Sequence, residues 1–270
     1  MLISINNRKI GYSDKGKGQV IFLVHGYLET KDVWDDFAAR LTDHYRVIAI
    51  DLPGHGESDS MGTVNSMELF AGSMKDLLDN LGIKKAFIVG HSMGGYAVLA
   101  FRQLFPEYLS AYSLFHSHPF SDKPAAVEKR KMNIEIVNAG KKDIMIPGFV
   151  AALYSQYNQK KFSREIEASV LLSLETKDET IIADLYGMIE RPSRLDLIED
   201  GTIPFLWILG RHDSHINADE MLRIVNLPSG SEAFILENSG HMGFIEEADL
   251  AADRIRKFIN YFSRDNLSHI

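Results

Sequence analysis

The chain has 270 residues, of which 45% are hydrophobic and 24% are charged, and its formal net charge is −8. This composition is typical of a soluble globular protein with enough apolar material for one large domain, or for one domain with an insertion. The absence of cysteine excludes disulfides, thiolate metal ligands and a cysteine nucleophile, and the lack of a basic tract argues against nucleic acid or an anionic membrane as a partner.

The first ten residues predict a strand rather than an export signal. Apolar residues alternate in Met1–Ile10, polar residues soon interrupt them, and no apolar core of a signal peptide follows. No apolar run elsewhere is long enough to span a bilayer. We therefore expect a cytoplasmic protein that acts on a small molecule. Both a monomer and a homodimer remain open.

Short β-rich runs alternate with helical patterns along the chain, which is typical of a parallel sheet with helices on both faces. Continuous apolar runs such as VIFLV and FLWIL predict strands that are buried on both sides. An opening pair with alternating apolar residues brings the prediction to about eight strands. The predicted strands are Ile3–Ile5, Lys9–Ser13, Val20–Val24, Val47–Ile50, Ala86–Val89, Tyr112–Phe115, Phe205–Leu209 and Ala233–Leu236.

Three helices are predicted between and after these strands. Ser66–Leu81 carries apolar residues at helical spacing, with Ser66 as a candidate N-cap and Gly82 at the position of a C-terminal glycine. Gly95–Phe105 predicts the next helix, which Pro106 ends. The last predicted helix is Leu250–Phe262.

About 90 residues between Phe115 and Phe205 carry little strand character. The segment is too long for a crossover loop, and its pattern predicts several helices. These lie around Ala125–Ala139, Ile146–Gln156, Arg164–Leu174 and Thr180–Glu190. We predict one core domain formed by residues 1–118 and 200–270, with a helical cap inserted at residues 119–199.

A serine stands at the predicted turn between a buried strand and a helix. The strand AFIV leads into Gly90-His91-Ser92-Met93-Gly94, which is the G-x-S-x-G pattern in a strand–turn–helix setting. A sharp turn exposes the hydroxyl, and small neighbours relieve its crowding. A bare glycine-rich loop is the alternative, but the setting predicts Ser92 as the nucleophile, with His91 packed beneath the turn.

An activated serine needs a histidine base, and the base needs an acid to orient it. The strand FLWILG leads to Asp213, and the strand AFILEN leads to His241, so both follow the carboxyl ends of strands, where ligands bind in α/β sheets. Each residue alone could be a turn or surface residue. Their joint order and placement predict Asp213 as the acid and His241 as the base, with Asp122 as a rival acid.

The negative charge that develops on the substrate needs two N–H donors. One is expected from Met93, the residue after the nucleophile. The other is expected from Tyr27, in the loop after VIFLV, where Gly26 lets the backbone come close. These donors are backbone groups, so the two side chains shape the pocket rather than the chemistry.

Further residues are candidates for the substrate pocket. His116 and His118 follow a strand at the same edge, but no additional ligand completes a metal site at a useful spacing, so we expect neither a metal nor another cofactor. The cap must contribute apolar side chains because it closes over the nucleophile. The predicted pocket residues are His116, His118, Phe149, Leu153, Tyr154 and Met242.

Five landmarks occur in a recognisable order: VHGYLET, DLPGHGESD, VGHSMGG, GRHD and SGHMGF. With them, the chain resembles the α/β-hydrolase superfamily along nearly its whole length, and is most similar to small capped hydrolases related to esterases, C–C hydrolases and non-haem haloperoxidase-like enzymes. The resemblance implies an eight-stranded, mostly parallel sheet and a triad of Ser92, Asp213 and His241. Haloalkane dehalogenases and epoxide hydrolases carry an aspartate where this chain has Ser92.

The predicted function is hydrolysis of a small carboxylic ester through an acyl-enzyme on Ser92. C–C bond hydrolysis, thioester hydrolysis or acyl transfer with the same triad remain alternatives. A ligand-binding sensor on a hydrolase fold is an alternative of a different class, and an intact triad argues against it. The sequence leaves the substrate itself open.

Overall fold

The structure, a computed structural model, describes the backbone of residues 1–265 and the side chains of residues 1–261. Within this range a single eight-stranded sheet has the order β1-β2-β4-β3-β5-β6-β7-β8. The first two strands run antiparallel to their neighbours, and the remaining pairs are parallel. The strands are β1 (Leu2–Ile5), β2 (Arg8–Lys15), β3 (Val20–Val24), β4 (Arg46–Ile50), β5 (Ala86–His91), β6 (Leu109–Phe115), β7 (Phe205–Gly210) and β8 (Glu232–Leu236).

This eight-stranded, mostly parallel sheet with flanking helices confirms the predicted architecture. The chain passes from β3 outwards to β4 and then returns to the other side of β3 with β5. Such a reversal opens a crevice at the carboxyl ends of the two central strands. The loops that follow β3 and β5 therefore lie side by side.

Helices cover both faces of the sheet because neighbouring strand residues point in opposite directions. Phe22 of β3 belongs to the apolar cluster that contains the second and third helices, whereas Leu23 belongs to the cluster on the first and last helices. The helices outside residues 119–199 are α1 (Asp35–Ala39), α2 (Met67–Asn80), α3 (Met93–Leu104), α9 (Ala218–Ile224), α10 (Gly243–Glu246) and α11 (Ala248–Asp265).

The ends of α2 show how the sequence sets a helix boundary. The Ser66 hydroxyl accepts a hydrogen bond from the N–H of Leu69 at 3.1 Å, which caps the first turn. Gly82 has a φ of +68° just past the last turn, a conformation that glycine adopts without strain. Both features agree with the caps that the sequence predicts.

Residues 119–199, called here the helical insertion, connect β6 to β7. Four of its helices correspond to predicted ones, and the fifth is short. The prediction for α5 was shifted towards the C-terminus, since the helix ends at Ala151 rather than Gln156. The division into a core and a cap remains a prediction. The helices are α4 (Pro124–Asn138), α5 (Lys142–Ala151), α6 (Ser163–Leu174), α7 (Asp178–Glu190) and α8 (Leu195–Glu199).

Helix α7 joins the insertion to the loop that follows β4. The Thr180 hydroxyl donates to the carbonyl of Gly54 at 3.1 Å. His55 Nε2 lies 3.0 Å from Asp184 Oδ2, and both side chains are fully buried. Asn65 Nδ2 donates to the other oxygen of Asp184 at 2.7 Å. These polar contacts fix α7 to the sheet domain.

None of the helices in residues 1–265 is both long enough and apolar enough to cross a membrane.

Candidate active site

Ser92 is the only residue between the end of β5 and the start of α3, and its backbone is strained. Its φ of +49° and ψ of −114° lie in a region that residues with a side chain seldom adopt. A Cβ atom at Gly90 would lie 2.5 Å from the carbonyl oxygen of Gly94, and one at Gly94 would lie 2.5 Å from that of Val24. The turn therefore requires both glycines, and it presents the Ser92 side chain at the carboxyl edge of the sheet.

A cavity of about 720 Å³ lies at this edge, between the sheet and the helical insertion. Its size falls within the range of small-molecule sites. The strand-end loops contribute Tyr27, Ser92, His215 and His241, and the insertion contributes much of the remaining wall.

His241 is oriented by Asp213. Its Nδ1 lies 2.7 Å from Asp213 Oδ2, while Asp213 Oδ1 accepts the N–H groups of His215 and Ile216 at 2.8 and 3.0 Å. Burial alone would raise the pKa of Asp213, but His241 and the neighbouring His116 outweigh it and hold this pKa well below its usual value. The acid is thus an anion that accepts the Nδ1 proton.

The same pair sets the charge state of the histidine. Burial lowers the pKa of His241, but the Asp213 carboxylate outweighs burial and raises this pKa above 6.5. In the neutral ring the proton sits on Nδ1, which leaves Nε2 as an acceptor. Among the side chains of residues 1–261 and the backbone of residues 1–265, no group forms a hydrogen bond with this Nε2. His241 lines the same cavity as Ser92.

His116 lies beneath Asp213 and does not line the cavity. Its Nε2 accepts the N–H of Gly243 at 3.1 Å, so a neutral ring carries its proton on Nδ1, 3.5 Å from Asp213 Oδ2. Burial lowers the pKa of His116 to about 4. Candidate ligand atoms of His116, Asp213 and His241 come within 4.8 Å of one another, a grouping that could hold a metal ion.

Glu29 links three loops of the site, and no sequence pattern singled it out. One of its oxygens accepts the N–H of Gly26 at 2.6 Å and lies 3.0 Å from His91 Nδ1. His91 Nε2 is 2.9 Å from the carbonyl oxygen of His241. Burial would raise the pKa of Glu29, yet His91 outweighs it and lowers this pKa. The nucleophile loop, the base loop and the loop after β3 are therefore connected through one buried carboxylate.

The two expected oxyanion donors lie on adjacent loops. Val24 and Gly90 pair across β3 and β5, which brings the following residues together. Within residues 1–265 neither the N–H of Tyr27 nor that of Met93 has a hydrogen-bond acceptor. Unpaired N–H groups beside a nucleophile are suited to stabilising negative charge, and their role remains a prediction.

The rival acid Asp122 lies away from His241. Its oxygens are 2.6 Å from Arg130 Nε and 2.8 Å from Arg191 Nη2, so its carboxylate is paired with two guanidinium groups. Asp122 lines the cavity but has no contact with the base.

Three of the six predicted pocket residues line the cavity, namely His118, Phe149 and Leu153. The prediction was wrong for His116, Tyr154 and Met242. The hydroxyl of Tyr154 pairs with Ser169 at 3.2 Å, because α5 ends at Ala151 and Tyr154 no longer follows its helical phase. Met242 borders a smaller cavity, which shares Tyr27, Phe149 and Leu153 with the main one.

Other cavity residues were missed, and one signal for them was present. Four residues of α4 recur at helical spacing, and so do four residues of α5. The spacing shows that each set shares one face of its helix, but not what that face contacts. Met145 and Met188 line the cavity as apolar side chains of the insertion, which agrees with the expectation for the cap. The missed residues are Glu29, His91, Tyr96, Asp122, Ala126, Lys129, Arg130, Asn133, Gly148, Ala152, Leu185, Ser214, His215 and Ile216.

Comparisons with known proteins agree with this fold. A sequence profile of the alpha/beta hydrolase fold matches residues 19–136. An esterase from Thermogutta terrifontis, solved with malate bound, is similar with a TM-score of 0.90 and 27% identity over 94% of each chain. A 2-hydroxy-6-oxononadienedioate/2-hydroxy-6-oxononatrienedioate hydrolase from Escherichia coli is 26% identical over 93% of this chain and 91% of that protein.

A further match is more local. An uncharacterised protein of Mycobacterium tuberculosis is 40% identical over 92 residues, which make up 34% of this chain. The matched segment spans only 27% of that relative's length.

Proposed function

We propose that the chain is a serine hydrolase that cleaves a small carboxylic ester, since it has the α/β-hydrolase fold and is similar over most of its length to an esterase and to a second hydrolase. The observation that carries this proposal is the shared cavity of Ser92 and His241. In it, a strained turn presents the serine, and Asp213 holds the histidine at 2.7 Å. The helical insertion acts as a cap over this cavity.

In the first half of the proposed reaction, the Ser92 hydroxyl attacks the ester carbonyl while His241 Nε2 takes its proton. The N–H groups of Tyr27 and Met93 stabilise the oxyanion. His241 then gives the proton to the departing alcohol, which leaves an acyl group on Ser92.

In the second half, His241 Nε2 removes a proton from water, and the resulting hydroxide attacks the acyl carbonyl. The intermediate collapses, the proton returns to Ser92, and the acid product leaves. Asp213 stays ionised throughout and stabilises the charged imidazole.

The test compares wild type with Ser92→Ala on short p-nitrophenyl esters. We expect kcat of the variant to fall by about 10⁶-fold, as for loss of a serine nucleophile that acts together with its base. A fluorophosphonate probe should label wild type and not the variant. Equal hydrolysis by both proteins would contradict the proposal.

A second candidate reaction is C–C bond hydrolysis with the same residues. It is supported by the similarity to the Escherichia coli hydrolase over 93% of this chain, since that protein's name describes action on a keto-diacid. A substrate panel separates the two candidates. An ester hydrolase turns over the p-nitrophenyl esters with the higher kcat/KM, whereas a C–C hydrolase prefers vinylogous 1,5-diketone acids.

A further inference from the structure

Two helices of the insertion line the cavity with side chains of opposite polarity. Each contributes four residues at positions i, i+3, i+4 and i+7, which is one face of a helix. The α4 wall consists of Ala126, Lys129, Arg130 and Asn133. The α5 wall, which includes the residue that caps this helix, consists of Met145, Gly148, Phe149 and Ala152. One wall is cationic and polar, and the other is apolar.

The α4 wall keeps hydrogen-bonding capacity that the protein does not use. In the described part of the chain, Lys129 has no ion pair and the Asn133 side chain has no hydrogen-bond partner. By contrast, Lys131, on another face of the helix, pairs with Glu128 at 3.0 Å. The core-facing residues of α4 are apolar, with Ile134 and Val137 buried. The polar face that borders the cavity thus has donors available for a ligand.

Tyr96 adds a donor to the same cavity. The N–H of Phe120 donates to His118 Nδ1 at 3.2 Å, so the proton of a neutral ring is on Nε2. That Nε2 lies 3.2 Å from the Tyr96 oxygen, which must then accept. Burial, with Arg191 as the next cause, lowers the pKa of His118 to about 3, so the ring stays neutral at physiological pH. The hydroxyl proton of Tyr96 is left for an acceptor in the cavity.

The charges next to the α4 wall are positive on balance, although the chain as a whole carries −8 and Glu29, held by Gly26 and His91, also lines the cavity. Asp122 faces two guanidinium groups, from Arg130 and Arg191. Lys129 adds an unpaired ammonium. Burial, followed by His241, lowers the pKa of His215 to about 4, and the positive charges of Lys129 and Arg130 contribute to the shift. Their field therefore reaches a ring that contacts His241, with ring centroids 5.2 Å apart.

We propose that the α4 wall, together with the Tyr96 hydroxyl of α3, binds a carboxylate of the substrate that is remote from the bond that is cleaved. The α5 wall packs against the apolar part of the substrate between that carboxylate and the ester. Lys129, Asn133 and the Tyr96 hydroxyl supply the donors. This inference rests on the proposed function and narrows its substrate class to esters that also carry an acidic group.

The test uses two esters that differ in this group alone: mono-p-nitrophenyl adipate, with a terminal carboxylate, and p-nitrophenyl hexanoate, with a terminal methyl group. We expect wild type to favour the adipate ester in kcat/KM by about tenfold, chiefly through KM, as for one charge-assisted hydrogen bond. The preference should shrink as salt rises from about 0.05 to 0.5 M, because ions screen exposed charges.

Lys129→Met and Tyr96→Phe should each reduce the ratio of the two kcat/KM values by about three- to tenfold. Lys129→Arg retains the positive charge and should keep most of the wild-type ratio of the two kcat/KM values. A purely structural role of the lysine side chain would not predict this. Lys131→Met is the matched control, since it removes the same charge from the same helix but outside the α4 wall. It should leave the ratio unchanged.

Calorimetric binding of both esters to Ser92→Ala measures the subsite without turnover. Tighter binding of the adipate ester that disappears in the Ser92→Ala/Lys129→Met double variant supports the subsite, even if wild type hydrolyses neither ester and the proposed function fails. Hydrolysis of both esters with equal kcat/KM, and an equal response of the Lys129 and Lys131 variants, would overturn the subsite while the proposed function stands.

Discussion

The buried carboxylates of the strand-end loops and the α4 wall of the helical insertion differ in how many of their polar groups have hydrogen-bond partners. In the loops, Asp213 accepts two backbone N–H groups and the His241 ring, and Glu29 accepts from Gly26 and faces His91. In the α4 wall, Lys129 and Asn133 have no partner among the described residues. A saturated network holds reacting groups in one geometry, whereas unused donors are available to a ligand.

This difference separates two tasks. Groups that transfer protons must be oriented before the substrate arrives, because reorientation during the reaction costs free energy. Groups that recognise a remote part of the substrate can become oriented when the substrate binds. Substitutions in the two regions should therefore have different kinetic signatures.

The largest effect is expected for Asp213→Asn, which breaks the loop network at its centre. The amide oxygen can still accept the two backbone N–H groups, but the amide nitrogen then donates to His241 Nδ1 and forces the proton onto Nε2. A ring in that tautomer cannot accept the serine proton. We expect kcat to fall by about 10⁴-fold, with KM changed by less than about threefold.

Steady-state kinetics on p-nitrophenyl esters measure this effect. Asp122→Asn is the control, because Asp122 lies in the cavity but away from His241. A comparable loss of kcat in both variants would contradict the assignment of Asp213 as the orienting acid.

The next effect concerns Asp184→Asn, which weakens the anchor of the insertion. We expect a loss of about 3–5 kcal/mol in the free energy of unfolding at pH 6, since a buried histidine loses its charged partner. Burial lowers the pKa of His55, but Asp184 outweighs it and raises this pKa above 6.5. The ion pair therefore stabilises fully below about pH 6.5 and loses this contribution as pH rises through the raised pKa.

Urea unfolding at pH 6 and pH 9 checks this, and the difference between variant and wild type should be smaller at pH 9. Asp178→Asn on the same helix is the matched control. Its partner Lys142 is 2.9 Å away in a partly exposed pair, which is worth about 0–1 kcal/mol. Equal destabilisation by the two substitutions would show that the buried pair is not the anchor.

The smallest of these effects is expected for Glu29→Ala, which disconnects the loops without touching the acid, the base or the nucleophile. The N–H of Gly26 and His91 Nδ1 lose their shared acceptor in a buried place. We expect kcat to fall by about 10- to 100-fold, in line with the free energy of one unsatisfied buried group.

Glu29→Gln retains an acceptor oxygen and should recover part of the kcat that Glu29→Ala loses. The kinetic signature sharpens the comparison, since a loop variant should lower kcat whereas a wall variant should raise KM. A Glu29→Ala enzyme with wild-type kcat would mean that the three loops hold their positions independently.

The sequence by itself determined the fold and the position of Ser92 within it. Buried strands such as Val20–Val24 are continuous apolar runs, and the turn at residues 90–94 needs small side chains for local steric reasons. Such patterns depend on residues that are near one another in the chain. The order of Asp213 and His241 beyond strand ends could be read in the same way, because a parallel sheet brings those ends to one edge.

Only the tertiary structure decided which side chains meet in the cavity. Spacing shows that Lys129 and Asn133 share a face of α4, but whether that face meets solvent, the core or a cavity depends on how the helix is rotated against the sheet. Because such packing cannot be read from the sequence, the prediction was wrong for Tyr154, and Glu29 was not predicted as a cavity residue. Contacts between loops far apart in the chain, such as Glu29 with His91, depend on packing that no local pattern encodes.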